Sequence, residues 1–196
     1  MRRFLPRKLQ PVVGVVAVQG DFEKHARAFQ ACGAQTRFVR TPEDLEGTER
    51  IVIPGGESTT VGKLMQRFGL GEAIIERAKA GTPIWGTCMG MILLAKEVEG
   101  FDQYKLDLLD VTVQRNAFGA QVHSFEDEID FKGFDSPILG VFIRAPIVTR
   151  CGEGVDALGT YERKVVAVRQ GNILGTSFHP ELTDDTRVHQ WFLSWK

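Results

Sequence analysis

The chain has 196 residues, of which 43% are apolar and 25% are charged, and its formal net charge at pH 7 is −1. This composition is typical of a single globular domain, and the near-neutral charge argues against nucleic acid or an anionic membrane as a partner. No apolar run is long enough to span a bilayer. The three cysteines, at 32, 88 and 151, match neither a disulfide framework nor a metal-ligand pattern, which favours a reducing cytoplasm.

The N-terminal segment is basic and lacks the apolar stretch and cleavage site of a signal peptide. We therefore expect a short mobile leader at 1–11 and one domain at 12–196.

The first two thirds of the domain alternate strand and helix patterns. A continuous apolar run at 12–18 is typical of a central parallel strand, and Asp21 follows as a plausible helix N-cap. Strands alternating with helices predict a mostly parallel sheet in a three-layer α/β/α domain. The predicted elements are strands at 12–18, 34–39 and 50–53 and helices at 22–33, 61–68 and 72–80.

The last third of the chain has a stronger β pattern. Leu109, Val111 and Val113 alternate with polar residues, which predicts a half-buried strand. Strand patterns separated by a Gln-Gly-Asn turn predict extra β-hairpins. The predicted elements here are strands at 109–113, 141–143, 165–168 and 172–178, the turn at 170–172 and a closing helix at 183–195.

Cys88 lies in a Gly-x-Cys-x-Gly turn between a short apolar strand and an apolar helical run. This is the layout of a nucleophile elbow, with cysteine where hydrolases often have serine. Such a turn places the sulfur at the carboxyl edge of the sheet and at a helix start, where a thiolate is favoured. The alternative is a small buried apolar residue, the usual role of a cysteine between apolar neighbours.

His179 and Glu181 follow another apolar strand, in the segment Ser-Phe-His-Pro-Glu. A thiol nucleophile needs a base, and histidine suits this role if another group holds its second ring nitrogen. Residues two apart in extended chain project on the same side, so Glu181 is a candidate to orient His179. The alternative is a surface His-Pro turn with Glu181 near the start of the closing helix.

Gly55 and Gly56 follow the third predicted strand. A Gly-Gly pair lets backbone N–H groups point into a cavity, and together with the N–H of Met89 they predict an oxyanion hole. The alternative is a plain tight turn capped by Ser58 or Thr59. A phosphate-binding loop is disfavoured because the required lysine spacing is absent.

Together these segments resemble the class I, or triad, glutamine amidotransferases, whose fold is flavodoxin-like. More narrowly they resemble the glutaminase subunits of pyridoxal 5′-phosphate synthase. The matching segments run over most of the chain: Val-Gln-Gly at 18–20, Pro-Gly-Gly-Glu-Ser-Thr-Thr at 54–60, Gly-Thr-Cys at 86–88, Arg-Asn-x-Phe-Gly at 115–119, Phe-Ile-Arg-Ala-Pro at 142–146 and Ser-Phe-His-Pro-Glu-Leu-Thr at 177–183.

The resemblance implies hydrolysis of L-glutamine to L-glutamate and ammonia through a γ-glutamyl thioester on Cys88, with no cofactor and no metal. It assigns Cys88 as nucleophile, His179 as general base and acid, and Glu181 as the orienting carboxylate. The substrate-binding residues that it implies are Gly56, Glu57, Ser58, Arg115, Ile143 and Arg144.

The resemblance also implies a partner. Ammonia released into water at neutral pH becomes ammonium, which has no lone pair for attack. The expected partner is a synthase subunit, a (β/α)8 barrel that takes up ammonia within a large hetero-oligomer. The Gln-Gly turn at 19–20 and the helix at 22–32 are candidate docking surfaces, and the Gly55-Gly56 loop is expected to be misarranged until the synthase docks.

Two departures from the family pattern stand near the predicted site. Met89 is bulkier than the residue that the family often has, although only its backbone N–H is needed. The stretch Gln-Val-His at 121–123 replaces one that usually carries charge.

The alternatives to this function are a glutaminase subunit of another amidotransferase, a cysteine hydrolase or redox protein, and a catalytically inactive scaffold subunit. The remaining histidines have no metal-ligand spacing. We expect His25 at the surface of its helix, and structural or solvent-exposed roles for His123 and His189.

Overall fold

The computed structural model describes residues 10–118 and 124–195, so only the last two residues of the predicted leader are described. Within this part the chain forms twelve strands and five α-helices. The strands are β1 Val12–Val16, β2 Gln35–Val39, β3 Arg50–Ile53, β4 Ile84–Thr87, β5 Ala95–Val98, β6 Leu109–Gln114, β7 Ser124–Phe131, β8 Ile138–Ile143, β9 Ile147–Cys151, β10 Asp156–Tyr161, β11 Lys164–Gln170 and β12 Ile173–Thr176. The helices are α1 Phe22–Ala31, α2 Ser58–Arg67, α3 Leu70–Lys79, α4 Met89–Leu94 and α5 Arg187–Leu193, with 3-10 turns at Pro42–Leu45 and Pro180–Leu182.

The central sheet has a parallel half and an antiparallel half. Its strand order is β2-β1-β3-β4-β12-β11-β10-β7-β8, and the pairs from β2 to β12 are parallel. The pairs from β12 to β8 are antiparallel. Strands β5, β6 and β9 form a branch that joins the sheet through β11. The parallel half brings the carboxyl ends of β1, β3, β4 and β12 to one edge, where ligands of open α/β sheets bind.

Alternate residues along the strands pack into two separate hydrophobic cores, one on each face of the sheet. Ile51 and Ile53 pack on one face with residues of α2, α3 and α4, whereas Val52 packs on the other face with α1 and α5. Trp85, which is fully buried, belongs to this second core. The predicted three-layer α/β/α architecture is therefore confirmed, because helices cover both faces of the parallel half.

Most predicted elements match the structure, with shifted ends. β3 matches the prediction, and the turn at 170–172 joins β11 to β12 with Gln170 paired to Ile173. The closing helix is shorter than predicted, since a 3-10 turn occupies Pro180–Leu182 and α5 begins at Arg187. Strands β5, β7, β9 and β10 are additional to the prediction. None of the helices in the described residues combines the length and the apolarity that crossing a membrane requires.

Candidate active site

A cleft of about 350 Å³ lies at the carboxyl edge of the parallel strands. Its walls come from the turns that follow β1, β3 and β4, from the segments after β6 and β8, and from His179. All but one of the site residues predicted from sequence line it. The predicted residues at the cleft are Gly55, Gly56, Glu57, Ser58, Cys88, Met89, Arg115, Ile143, Arg144 and His179. The exception, Glu181, lies behind His179.

The turn at Cys88 has the strained backbone of a nucleophile elbow. Cys88 sits between β4 and α4 with φ 51° and ψ −104°, a conformation that costs a non-glycine residue about 1–3 kcal/mol. Its backbone N–H donates to the carbonyl of Thr176 on β12 at 2.7 Å. Methyl groups placed on Gly86 or Gly90 would overlap backbone atoms of Gly90 and Ile53, respectively. The glycines on either side of Cys88 therefore permit the close approach of α4 to the sheet that this turn requires.

The Cys88 thiol is 8% exposed and has two polar neighbours. Its Sγ lies 3.8 Å from the carbonyl oxygen of Ile143. The His179 side chain lines the same cleft, and Cys88 is close enough to raise the pKa of His179. The backbone fixes His179 from two sides, because its N–H donates to the Val141 carbonyl at 2.8 Å and Gly55 packs on its ring. A methyl group on Gly55 would overlap the imidazole.

His179 and Glu181 form a buried ion pair. Nδ1 of His179 lies 2.7 Å from Oε1 of Glu181, which leaves Nε2 for Cys88. Burial lowers the pKa of His179, but Cys88 and Glu181 raise it more strongly, to about 10. Burial raises the pKa of Glu181, but His25 and His179 outweigh this effect and lower it to about 2. The arrangement favours an imidazolium held between a Cys88 thiolate and the carboxylate, which is the state reached when the thiol proton has passed to His179.

His25 is fully buried, so the prediction that it lies at the surface of its helix is wrong. Its Nε2 lies 3.2 Å from Oε2 of Glu181, the oxygen that does not face His179. His189, for which a structural or exposed role was expected, is also fully buried and contacts His25. His25 stacks on Phe29, one turn further along α1, and this spacing was the available indication that it faces the core.

Arg115 lines the same cleft and is oriented by neighbours that the sequence did not reveal. Its guanidinium lies 4.5 Å from the ring centroid of Phe101, and Nη1 donates to Oε1 of Gln103 at 3.3 Å. Ser58 donates to the same oxygen at 3.1 Å. Gln103 thus couples two predicted substrate-binding residues, and no periodicity or motif in its loop indicated this role.

The carboxylate of Glu57 caps α2. It accepts hydrogen bonds from the backbone N–H of Thr59 at 3.0 Å and of Thr60 at 2.8 Å. The Thr60 side chain first, and then these backbone donors, outweigh the effect of burial and lower the pKa of Glu57 to about 2. The helix therefore begins three residues before the predicted start, and its cap is neither Ser58 nor Thr59.

The Gln19-Gly20 turn contacts the loop that contains Gly55 and Gly56. Oε1 of Gln19 accepts from the N–H of Glu57 at 3.3 Å, and a methyl group on Gly20 would overlap the carbonyl oxygen of Gly55. Within the part of the chain that the structure describes, the N–H groups of Gly55 and Gly56 donate to no protein acceptor. No acceptor in the described residues therefore competes for these two N–H groups.

Two predictions fall on residues outside the described ranges. These are the last residue of the Arg-Asn-x-Phe-Gly segment, Gly119, and the departure at 121–123, which includes His123. Among residues 10–118 and 124–195, no group of three or more His, Cys, Asp or Glu side chains is arranged to hold a metal ion.

Comparisons with known proteins match this chain over most of its length. It is 52% identical over 182 residues to the pyridoxal 5′-phosphate synthase subunit PdxT of Geobacillus kaustophilus, covering 93% of each chain. It is 48% identical over 182 residues to the protein of that name from Fervidobacterium nodosum, covering 93% of this chain and 95% of that one.

The similarity extends to solved structures. A crystal structure of a glutamine amidotransferase superposes with a TM-score of 0.89 at 47% identity, covering 92% of this chain and 96% of that one. A glutamine amidotransferase of Thermotoga maritima shares the fold at 15% identity, with a TM-score of 0.62. The model of the SNO glutamine amidotransferase family matches residues 15–195. The chain therefore belongs to the SNO glutamine amidotransferase family.

Proposed function

We propose that this chain hydrolyses L-glutamine to L-glutamate and ammonia and delivers the ammonia to a synthase subunit that makes pyridoxal 5′-phosphate. The observation that carries the proposal is that Cys88 and His179 line one cleft, with Nδ1 of His179 2.7 Å from the buried carboxylate of Glu181. Membership of a glutamine amidotransferase family and relatives named as subunits of pyridoxal 5′-phosphate synthase support the substrate and the pathway. The family match over 15–195 supports one domain at 12–196.

The first half of the reaction forms a thioester. His179 takes the proton of Cys88, and the thiolate attacks the side-chain carbonyl carbon of glutamine. Negative charge develops on the carbonyl oxygen, and the N–H groups of Gly55, Gly56 and Met89 would stabilise it once the synthase has docked. The C–N bond then breaks, His179 returns its proton to the leaving nitrogen, and ammonia departs.

The second half of the reaction releases glutamate. His179 takes a proton from water, and the resulting hydroxide attacks the γ-glutamyl thioester on Cys88. The C–S bond breaks, and the sulfur leaves as thiolate or recovers the proton from His179. Glu181 orients the imidazole and stabilises its positive charge in both halves, as the carboxylate does in hydrolytic triads.

Arg115 is proposed to bind the α-carboxylate of glutamine, because a guanidinium pairs well with a carboxylate. Glu57, at 3.8 Å from Nη2 of Arg115, would hold the guanidinium in place while the backbone of Gly56 and Glu57, the hydroxyl of Ser58 and the backbone of Ile143 contact the rest of the substrate. Arg144, an exposed residue with φ 45°, is the second cation at the cleft available for this carboxylate.

Replacing Arg115 with alanine is expected to raise KM for glutamine about 10- to 100-fold, because one charge-assisted hydrogen-bonded pair is lost. The change in kcat should be less than about threefold. Arg67→Ala is the matched control, because Arg67 also lies over a phenylalanine ring but does not line the cleft. Steady-state kinetics of glutamate release test the prediction. A KM for Arg115→Ala equal to that of the control would remove Arg115 from the binding site.

The partner is proposed to be a (β/α)8 barrel that docks over the cleft within a large hetero-oligomer. The contacts of Gln19 and Gly20 with the Gly55-Gly56 loop support a route by which docking on this turn could rearrange the loop. The chain alone is then a slow glutaminase. A reducing cytoplasm suits this role, because the thiols of Cys32, Cys88 and Cys151 are all unpaired.

The decisive experiment measures glutamate release by the purified chain alone, with the synthase subunit of pyridoxal 5′-phosphate synthase, and with the synthase subunit of an unrelated amidotransferase. We expect slow release alone and stimulation of tenfold or more by the first partner only. Stimulation by the unrelated synthase would assign another pathway. No release under any condition, with no labelling of Cys88 by an electrophilic glutamine analogue, would favour an inactive scaffold.

A further inference from the structure

Behind the Cys88–His179–Glu181 contacts lies a second layer of buried histidines that the proposed mechanism does not use. His25 on α1 and His189 on α5 are both fully buried, and neither lines the cleft. Nδ1 of His25 lies 3.2 Å from Nε2 of His189. Nε2 of His25 lies 3.1 Å from Oγ1 of Thr87, in hydrogen-bond geometry, and 3.2 Å from Oε2 of Glu181, at a less favourable angle.

Oε2 of Glu181 lies beside the His25 ring. Oε1 is taken by His179, and Oε2 receives no hydrogen bond of good geometry from the described residues. The nearest donor to Oε2 is therefore the His25 ring, which is shared with Thr87. An ionised carboxylate oxygen in a dry interior is costly unless a donor faces it, so the direction of the His25 proton matters.

Hydrogen-bond accounting selects one tautomer of His25. With the proton on Nε2, the ring donates towards Thr87 and Glu181, and Nδ1 accepts from Nε2–H of His189. Only a bare lone pair, on Nδ1 of His189, then stays unpaired. With the proton on Nδ1, the lone pair of Nε2 would face the Glu181 carboxylate, and His189 would bury an N–H with no acceptor among the described residues. The first arrangement is the favourable one.

The charged groups around His25 come from three directions. Asp21 precedes α1, Glu181 and His179 lie on and beside the 3-10 turn, and His189 faces it from α5. Burial lowers the pKa of His25 more than Glu181 and Asp21 raise it. Burial and His25 together lower the pKa of His189 to about 3. Both shifts favour the neutral form of the rings, so the pair orients a proton without adding a second cation.

We infer that His25 is a positioning residue, whose Nε2–H holds Oε2 of Glu181 so that Oε1 stays directed at His179. This inference rests on the proposed function. Its immediate consequence is that Glu181 has both oxygens fixed, one from the cleft side and one from the core. Without His25 the carboxylate could turn or take up a proton, and its hold on the imidazolium of His179 would weaken.

The test compares His25→Gln with His25→Asn, assayed with the synthase subunit present. The amide nitrogen of glutamine reaches the position of Nε2, whereas that of asparagine reaches only the position of Nδ1. We expect His25→Gln to keep kcat within threefold of the original chain and His25→Asn to lose tenfold or more, with KM for glutamine unchanged within twofold for both. His25→Leu should lose at least as much as His25→Asn.

The pH profile separates positioning from mere packing. A weaker hold by Glu181 lowers the pKa of His179, so the proton needed by the leaving group is lost at a lower pH. On the alkaline side of the profile, kcat/KM should therefore fall at a pH about one pH unit lower in His25→Asn and His25→Leu than in the original chain with the same substrate. Phe29→Leu, an equally buried substitution beside the His25 ring that changes no polar contact, should leave this alkaline limb in place.

The outcomes are distinguishable. Thermal unfolding first establishes that His25→Gln and His25→Asn are folded. If the two variants then have equal kcat and equal alkaline limbs, the inference is overturned while the glutaminase function stays intact. The same shift of the limb in Phe29→Leu as in His25→Leu would also overturn it, since a change in packing alone would then account for the shift. If His25→Leu does not fold, the Gln and Asn pair decides. Failure of the original chain to release glutamate would instead overturn the proposed function.

Discussion

Replacing Cys88 with alanine is expected to abolish glutamine hydrolysis, with a fall in kcat of about 10⁶-fold, the size seen when a triad nucleophile is removed. Among the described residues that line the cleft, Cys88 carries the one thiol, and the elbow places it in the same cleft as His179. Glutamate release in the presence of the synthase subunit measures the effect. Residual turnover within a hundredfold of the original chain would mean that the thioester route is wrong.

The same position offers a control for folding. Cys88 has φ 51°, which strains any residue except glycine. Cys88→Gly should therefore unfold at a higher temperature than Cys88→Ala, although both are inactive. This pair separates loss of chemistry from loss of structure. If Cys88→Gly were the less stable variant, the strain assigned to this turn would be absent.

Much of the cleft could be predicted because its chemistry lies at the ends of parallel strands. The turns at Gln19, Gly55 and Cys88 each follow an apolar run, and β1, β3 and β4 are neighbours in the sheet. Parallel neighbours end at the same edge, so motifs distant in sequence must meet there. That reasoning needs only strand identity, and it tolerates errors of several residues in the ends of helices.

The antiparallel half was harder to predict, for a local reason. In β7, Phe125, Ile129 and Phe131 alternate with acidic residues, but Asp127 breaks the alternation. Asp127 is instead exposed and accepts a hydrogen bond from the Tyr161 hydroxyl at 3.0 Å, across a gap of 34 residues. Pairing of this kind depends on tertiary register, which a single strand pattern does not contain.

The residues that contact the site residues from behind, Gln103 and His25, could not be predicted from the sequence for a different reason. Gln103 lies in a loop without periodicity, and its role comes from meeting Ser58 and Arg115 in space. His25 lies on a helix face that does predict burial, but a histidine there has no evident partner until the 3-10 turn brings Glu181 beneath α1. Residues that contact a catalytic group from behind carry no motif of their own, since their partners lie on other elements.

Replacing Gly90 with alanine is expected to lower the free energy of unfolding by about 3 kcal/mol or more, the upper range for an overpacked core. A methyl group there would overlap the carbonyl oxygen of Ile53, which lies on β3 between β1 and β4 and cannot retreat. Movement of α4 away from β3 is also resisted, because Gly86 and Gly90 already pack backbone against backbone. The shift would displace Met89 and with it one predicted oxyanion donor.

Gly62→Ala is the matched control for Gly90→Ala, because both substitutions add one methyl group to a glycine within a helix. Alanine gains about 1 kcal/mol of helix propensity over glycine in the interior of a helix. At Gly62 the nearest atoms are the end of the flexible Leu93 side chain and the Tyr104 carbonyl oxygen, both at 3.3 Å, so the net change should be within about 1 kcal/mol of zero. Urea unfolding of both variants measures the difference. If Gly90→Ala were as stable as Gly62→Ala, the turn at Cys88 would not need glycine at position 90 for the close approach of α4 to β3.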